Sequence, residues 1–102
     1  MNIPEIPSDI KTTIIPQFHI SSLWIFGSAI REDYSEESDI DLIVEFKPDA
    51  KITLLKLAAL QTSLENSFGR KVDIITRKAI DDFMNPFLKQ EILSTMVRIY
   101  GS

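Results

Sequence analysis

The alternation of apolar and acidic residues from position 39 to 46 is the strongest constraint on how this chain folds. Side chains of a β-strand point alternately to the two faces of a sheet. One face therefore carries Ile40, Leu42, Val44 and Phe46, and the other carries Asp39, Asp41, Ile43 and Glu45. We expect a strand whose first face packs in the core and whose second face is acidic.

Helix and strand patterns alternate along the rest of the chain. The predicted elements are a helix at 9–15, a strand at 22–26, a strand at 39–46, a helix at 53–68, a strand at 71–76, a helix at 86–95 and a short strand at 97–100. The stripe of the long helix consists of Leu54, Leu57, Ala58, Leu64 and Phe68. Ser8 and Asn85 are candidate N-caps, and Gly69 follows the long helix as a C-terminal glycine. Pro16 should end or kink the first helix. This order predicts an α/β fold, one domain over residues 1–102, with a small sheet covered by helices.

Composition excludes several classes of function. The net charge of −4 argues against binding duplex nucleic acid, which needs many Lys and Arg contacts to phosphate. No apolar run is long enough to span a membrane and no signal peptide is visible, so we expect a cytoplasmic protein. The chain has no cysteine and a single histidine, which excludes thiol chemistry and argues against a zinc site. Any metal should be held by carboxylates, which favours Mg²⁺ or Mn²⁺.

Three aspartates are the candidate catalytic and metal-binding residues. Asp39 and Asp41 share one strand face, about 7 Å apart along the backbone, and could reach one pair of metal ions. Asp73 lies in an otherwise apolar strand, where a carboxylate needs a partner or a metal. If the second and third strands are neighbours, Asp73 completes the cluster, and the three like charges would repel one another unless a divalent cation is bound.

The candidate nucleotide-binding residues are Gly27, Ser28 and Arg31. Gly27 and Ser28 directly follow the apolar strand, where backbone N–H groups and a hydroxyl can hold phosphate oxygens. Arg31 could balance the charge that moves to a diphosphate leaving group. Each signal alone has an ordinary structural explanation, whereas the combination with the aspartates is specific.

These motifs resemble a known family. Gly27-Ser28, ten intervening residues and then Asp39-Ile40-Asp41 look like the signature of the DNA polymerase β-like nucleotidyltransferase superfamily. With Lys71-Val72-Asp73-Ile74-Ile75-Thr76, in a chain of this length, they resemble its minimal nucleotidyltransferase (MNT) group. The resemblance implies a small mixed sheet packed with helices. The basic residue that often follows the Gly-Ser directly in that family is replaced here by Ala29 and Ile30, ahead of Arg31.

The resemblance also implies a reaction and a partner. MNT proteins are antitoxins that transfer AMP from ATP to a tyrosine of a HEPN-domain RNase toxin and so silence it. It implies that Asp39, Asp41 and Asp73 bind Mg²⁺ and that Ser28 contacts the phosphates of the nucleotide. Asp73 is the candidate base for the acceptor hydroxyl.

Two alternatives stay open from the sequence. The chain could neutralise a toxin by binding alone, or it could transfer a nucleotide to a small molecule or to tRNA. Because so short a chain leaves the active-site cleft half-built, we expect a partner or a second copy to supply its other wall.

Overall fold

The computed structural model describes residues 6–26 and 39–101. A π-helical segment, Ile10–Ile14, leads directly into α1 (Ile15–Gln17). The remaining elements, in chain order, are β1 (Ile20–Phe26), β2 (Ile40–Phe46), α2 (Leu54–Phe68), β3 (Val72–Thr76), α3 (Arg77–Phe83), α4 (Pro86–Thr95) and β4 (Val97–Tyr100). None of the helices in these ranges combines the length and the apolar composition needed to cross a membrane.

The four strands form one mixed sheet in the order β3-β2-β1-β4. β1 is antiparallel to both of its neighbours, whereas β2 and β3 are parallel. A parallel pair needs a crossover connection, and α2 provides it between the end of β2 and the start of β3. The predicted fold class, a small mixed sheet packed with helices, is confirmed.

The main core covers the first face of the sheet, as the alternation in β2 predicted. Ile40, Leu42 and Val44 are fully buried there, and Phe46 is partly buried against the same cluster. The π-helical segment and α2 supply the opposing side chains, which include Ile10, Ile14, Leu60 and Leu64. Burial of these groups is the largest favourable contribution to folding.

The second face of the sheet is not simply acidic, and this part of the prediction is wrong. Ile43 is fully buried in a smaller cluster with Trp24 and Ile80. Four further side chains pack around that cluster. Met84 lies between α3 and α4, Ile92 and Leu93 belong to α4, and Met96 follows α4. Helices therefore cover the middle of this face, and the carboxylates lie at its end.

The bounds of α2 agree with the prediction, but its buried stripe does not. The Thr53 hydroxyl caps the helix by accepting from the Lys56 N–H at 3.2 Å, and Gly69 ends it with a left-handed φ of 73°. The fully buried leucines are Leu60 and Leu64, whereas Leu54 is 85% exposed and Ala58 is exposed. At 3.6 residues per turn, Leu54 is rotated by about 80° and Ala58 by about 120° from Leu64. The sheet-facing stripe is narrower than the predicted one.

The N-terminal helix differs from its prediction at both ends. Asp9, rather than Ser8, is the N-cap and its side chain makes no capping bond, while the Ser8 carbonyl accepts from the Thr12 hydroxyl at 3.2 Å. Pro16 does not end the helix, because it stands in the first turn of α1. Proline lacks the N–H that would donate back into the preceding turn, and the helix runs only one residue beyond it, to Gln17.

The C-terminal elements agree with prediction except for one missed helix. The Asn85 side chain accepts from the N–H groups of Phe87 and Leu88 at 2.8 and 3.1 Å, which confirms it as the N-cap of α4. α3 was not predicted. Thr76 is both the last residue of β3 and the N-cap of α3, where its hydroxyl accepts from the Ala79 N–H at 3.1 Å. No turn residues therefore separate the two elements.

Candidate active site

Asp41 and Asp73 stand beside each other on neighbouring strands. They are register partners in the parallel pair of β2 and β3, as Ile40 and Val72 are one position earlier. Paired residues of parallel strands project to the same face, so the two carboxylates share one side of the sheet. Asp39 precedes β2 by one residue and lies exposed on the same side as Asp41. β2 and β3 are neighbours, which meets the condition under which Asp73 was expected to complete the cluster, and their pairing brings Asp73 to Asp41.

The carboxylates lie at the end of the sheet where β2 and β3 begin and β1 finishes. Phe26, the last residue of β1, is the register partner of Asp41. The chain continues from Phe26 directly into Gly27 and Ser28. The three predicted nucleotide-binding residues, Gly27, Ser28 and Arg31, fall outside the described residues, so their roles stay predictions.

Electrostatic repulsion is concentrated at Asp41. Burial raises the pKa of the Asp41 carboxyl above the ordinary value of 3.8, and the negative charges of Asp73 and then Asp39 raise that pKa further. Within residues 6–26 and 39–101, no three acidic or histidine side chains already converge as a complete metal-binding group. The described site is thus a crowded pair, Asp41 with Asp73, with Asp39 close enough to act on it.

A cationic group lies on the same face, farther from the sheet end. Arg98 in β4 is the register partner of Trp24, and its guanidinium carbon stands 5.7 Å from the centroid of the indole ring. Trp24 precedes Phe26 by two residues, so it shares the side of the sheet that carries Asp41. A guanidinium over an aromatic face is attracted by the ring quadrupole. Sequence reasoning assigned no site role to Arg98, and only the alternation in residues 97–100 could have placed it on this face.

A groove of about 570 Å³ opens at the opposite end of the sheet. Its walls come from the last residues of β2 and β3, from the loop before α2, and from α2 and α3. They include Phe46, Ile52, Leu57, Thr76, Arg77 and Asp81. None of the three candidate aspartates lines it. The groove is therefore separate from the carboxylate site.

Replacing Asp41 with Asn should stabilise the protein in the absence of divalent metal. A raised pKa means that the folded state binds the proton more tightly, so the contribution of Asp41 to stability is fully present below pH 3.8 and is lost as pH rises through the raised pKa. Because Asp41 is half-exposed and water screens its repulsion, we expect a gain of about 0.5 kcal/mol at pH 7. This corresponds to a rise of roughly 2–4 °C in melting temperature for a chain of this size.

Thermal unfolding of both proteins in EDTA at pH 7 and again near pH 3.5 measures this effect. The difference in melting temperature should shrink at the lower pH, where Asp41 is protonated. A variant that is less stable than the wild-type protein at pH 7 would show that the Asp41 carboxylate is not under electrostatic strain.

Comparison with known proteins agrees with this geometry. Residues 9–99 match the family model described as a nucleotidyltransferase domain. A "putative protein adenylyltransferase" of Methanocaldococcus jannaschii is 36% identical over 97 residues, which cover 95% of this chain and 94% of the relative.

Two solved structures have the same fold. One is described as a "putative minimal nucleotidyltransferase"; it is 29% identical, with a TM-score of 0.63, over 84% of this chain and 82% of that one. The other is the complex of the tri-AMPylated Shewanella oneidensis HEPN toxin with MNT antitoxin. It is 16% identical, with a TM-score of 0.61, over 92% of this chain and 69% of the matched chain. At that identity the second likeness concerns the fold alone.

The prediction of a minimal nucleotidyltransferase is confirmed by these matches. The family model covers almost the whole chain, and the archaeal relative exceeds 30% identity along nearly all of it. The chain therefore belongs to the nucleotidyltransferase domain family, and within it resembles the minimal nucleotidyltransferases.

Proposed function

We propose that this protein is a protein adenylyltransferase that moves AMP from ATP to a tyrosine of a HEPN-domain partner. The observation that carries the proposal is the register pairing of Asp41 with Asp73, next to the strand end that leads into Gly27 and Ser28. Nucleotidyl transfer needs carboxylates at one place to hold cations against the phosphates. The name of the archaeal relative supports adenylyl transfer to protein as the reaction.

The donor atoms at the site fit Mg²⁺, and Mn²⁺ is an alternative. Asp39, Asp41 and Asp73 offer only carboxylate oxygens, which are the ligands that these hard cations prefer. Burial, and then the charges of Asp73 and Asp39, raise the pKa of Asp41, and a bound cation would relieve the repulsion among the three carboxylates. When bound, Mg²⁺ supplies charge neutralisation for the phosphates and for the diphosphate that leaves.

The reaction balances with the residues that the chain offers. The tyrosine hydroxyl oxygen attacks the α-phosphorus of ATP, and the bond from that phosphorus to the bridging oxygen breaks, which releases diphosphate. Asp73 is our candidate to accept the hydroxyl proton and pass it to solvent. We assign the backbone of Gly27 and the hydroxyl of Ser28 to the phosphate oxygens, and the guanidinium of Arg31 to the charge on the leaving diphosphate.

The acceptor is proposed to be a protein because the archaeal relative is described as a putative protein adenylyltransferase. The described elements form the sheet and the helices that pack on it, and we propose that residues 1–102 make one domain. The MNT antitoxin of Shewanella oneidensis is found in complex with a tri-AMPylated HEPN toxin, which supports a HEPN toxin as the partner that completes the cleft. We place the reaction in the cytoplasm, where ATP and an RNase toxin would meet.

Transfer of label from two forms of ATP tests this function. The purified chain, its proposed HEPN-domain partner and Mg²⁺ are incubated with ATP labelled at the α-phosphate or at the γ-phosphate. Only the α-label should become bound to the HEPN protein, and EDTA should abolish the transfer. Transfer of the γ-label would indicate a kinase, and no transfer of either label by folded protein would contradict the proposal.

A further inference from the structure

The first residue of β3 is held from the side by two residues of α2. Nε2 of Gln61 donates a hydrogen bond to the Val72 carbonyl oxygen at 2.9 Å. The Val72 N–H donates to Oε2 of Glu65 at 3.1 Å. Gln61 and Glu65 are four residues apart, so they lie one turn apart on the same side of the helix. We call these two hydrogen bonds the Val72 clamp.

The clamp lies on the outer side of β3, where the sheet has no neighbouring strand. β3 is an edge strand, and the outward backbone groups of an edge strand have no neighbouring strand to bond. On the inner side, the Ile40 N–H donates to the Lys71 carbonyl at 3.0 Å. The start of β3 is therefore fixed on its inner side by β2 and on its outer side by α2. Both clamp residues are half-buried, which limits competition from water.

The clamped peptide leads directly into Asp73. The Val72 side chain is fully buried in the main core. Asp73, the next residue, projects to the opposite face beside Asp41. A shift of the Val72 backbone would carry the Asp73 carboxylate with it. Sites that bind cations depend on such supporting hydrogen bonds to hold the ligands in place.

We propose that Gln61 and Glu65 are positioning residues, which hold Asp73 at the separation from Asp41 at which both carboxylates can bind divalent cation. The inference rests on the proposed function, because it assigns a role to residues behind the proposed metal-binding carboxylates. It differs from a role in stability alone, since it predicts a loss of metal affinity in protein that is still folded.

Four variants separate the two roles. Glu65→Met and Glu65→Gln both remove the negative charge, but only Gln keeps an oxygen that can accept from the Val72 N–H. Gln61→Met removes the other hydrogen bond without changing the net charge, and it tests the clamp even if Glu65→Met does not fold. Thr62→Val is the matched control, because the Thr62 hydroxyl donates only within α2, to the Ala58 carbonyl.

Two measurements are made on each folded variant. Affinity for Mn²⁺ alone is measured from the loss of the free-ion signal in electron paramagnetic resonance, without nucleotide or partner. Exchange of the Val72 amide, which donates to Glu65, is followed by NMR, to show whether this half of the clamp is broken. Glu65→Met and Gln61→Met should bind Mn²⁺ about tenfold more weakly than the wild-type protein, while Glu65→Gln and Thr62→Val should stay within about twofold of it.

The outcomes distinguish this inference from the proposed function. If the wild-type protein binds Mn²⁺, and either folded Gln61→Met or Glu65→Met with an exposed Val72 amide binds it equally well, the positioning role is wrong and the proposed metal site stands. Equal losses in Glu65→Gln and Glu65→Met would also overturn the role, because the charge would then matter and not the hydrogen bond. A folded wild-type protein that binds no Mn²⁺ would overturn the positioning role, whereas the proposed function is decided separately by the transfer of the α-label.

Discussion

The substitution Asp41→Asn should lower the rate of adenylyl transfer by at least about 100-fold, the scale seen when one group that balances transition-state charge is removed. The amide has the size of the carboxylate but no charge, so it cannot offset the cations that the phosphates require. Asp41 is the central member of the site, because it pairs with Asp73 across the strands and follows Asp39 along its own strand. Removal of Asp39 as well, in the Asp39→Asn/Asp41→Asn double variant, should leave no measurable transfer.

The rate is measured with α-labelled ATP at saturating Mg²⁺, with the HEPN protein as acceptor. Asp49→Asn is the matched control, because it makes the same chemical change at an exposed residue beyond the far end of β2. Loss of activity in Asp41→Asn cannot be attributed to unfolding if, as expected, that variant is the more stable protein without metal. Asp41→Asn activity above about a tenth of the wild-type rate would remove Asp41 from the catalytic set.

The substitution Leu60→Ala should destabilise the protein by about 2–5 kcal/mol, as large-to-small changes in a packed core do. Leu60 is completely buried between α2 and the sheet, in the main core. Shortening it removes apolar contacts and leaves a cavity that its neighbours cannot fully close. The loss is a large part of the stability of an ordinary domain, which is about 5–15 kcal/mol.

Leu54→Ala is the matched control for this effect. Leu54 begins the same helix and undergoes the same substitution, but it is 85% exposed. Its free energy of unfolding should stay within about 0.5 kcal/mol of the wild-type value. Urea unfolding followed by circular dichroism measures both variants, and equal losses would show that α2 does not face the sheet through Leu60.

The alternation in residues 39–46 determined more of this site than any other local pattern. It placed Asp39 and Asp41 on one face and Ile40, Leu42 and Val44 on the other, because the geometry of a strand is fixed by its own backbone. It could not show that Ile43 is buried. That burial depends on α3 and α4, which come from later in the chain and cover the second face.

The pairing of Asp73 with Asp41 could be predicted from the sequence only in part. An aspartate in an apolar strand indicated that Asp73 needs a partner, but its register against β2 depends on how the crossover through α2 returns the chain. The missed helix α3 has a similar cause. Thr76 belongs to β3 and also caps α3, so the usual turn signals between two elements are absent from the sequence.

The carboxylate site combines function with a cost in stability. Asp41 is held partly buried, next to Asp73, where its charge is unfavourable until a cation arrives. An uncharged side chain at this position would remove this cost, which is the change that Asp41→Asn makes. The stability gain and the activity loss expected for Asp41→Asn are therefore two consequences of one arrangement.

Peptide mass spectrometry of the HEPN protein after incubation with this chain, ATP and Mg²⁺ tests the central claim most directly. We predict AMP on a tyrosine of the HEPN protein with the wild-type chain, and none with the folded Asp39→Asn/Asp41→Asn variant at equal concentration. A HEPN protein that stays unmodified by folded wild-type chain, or one that the double variant modifies equally well, would contradict the account.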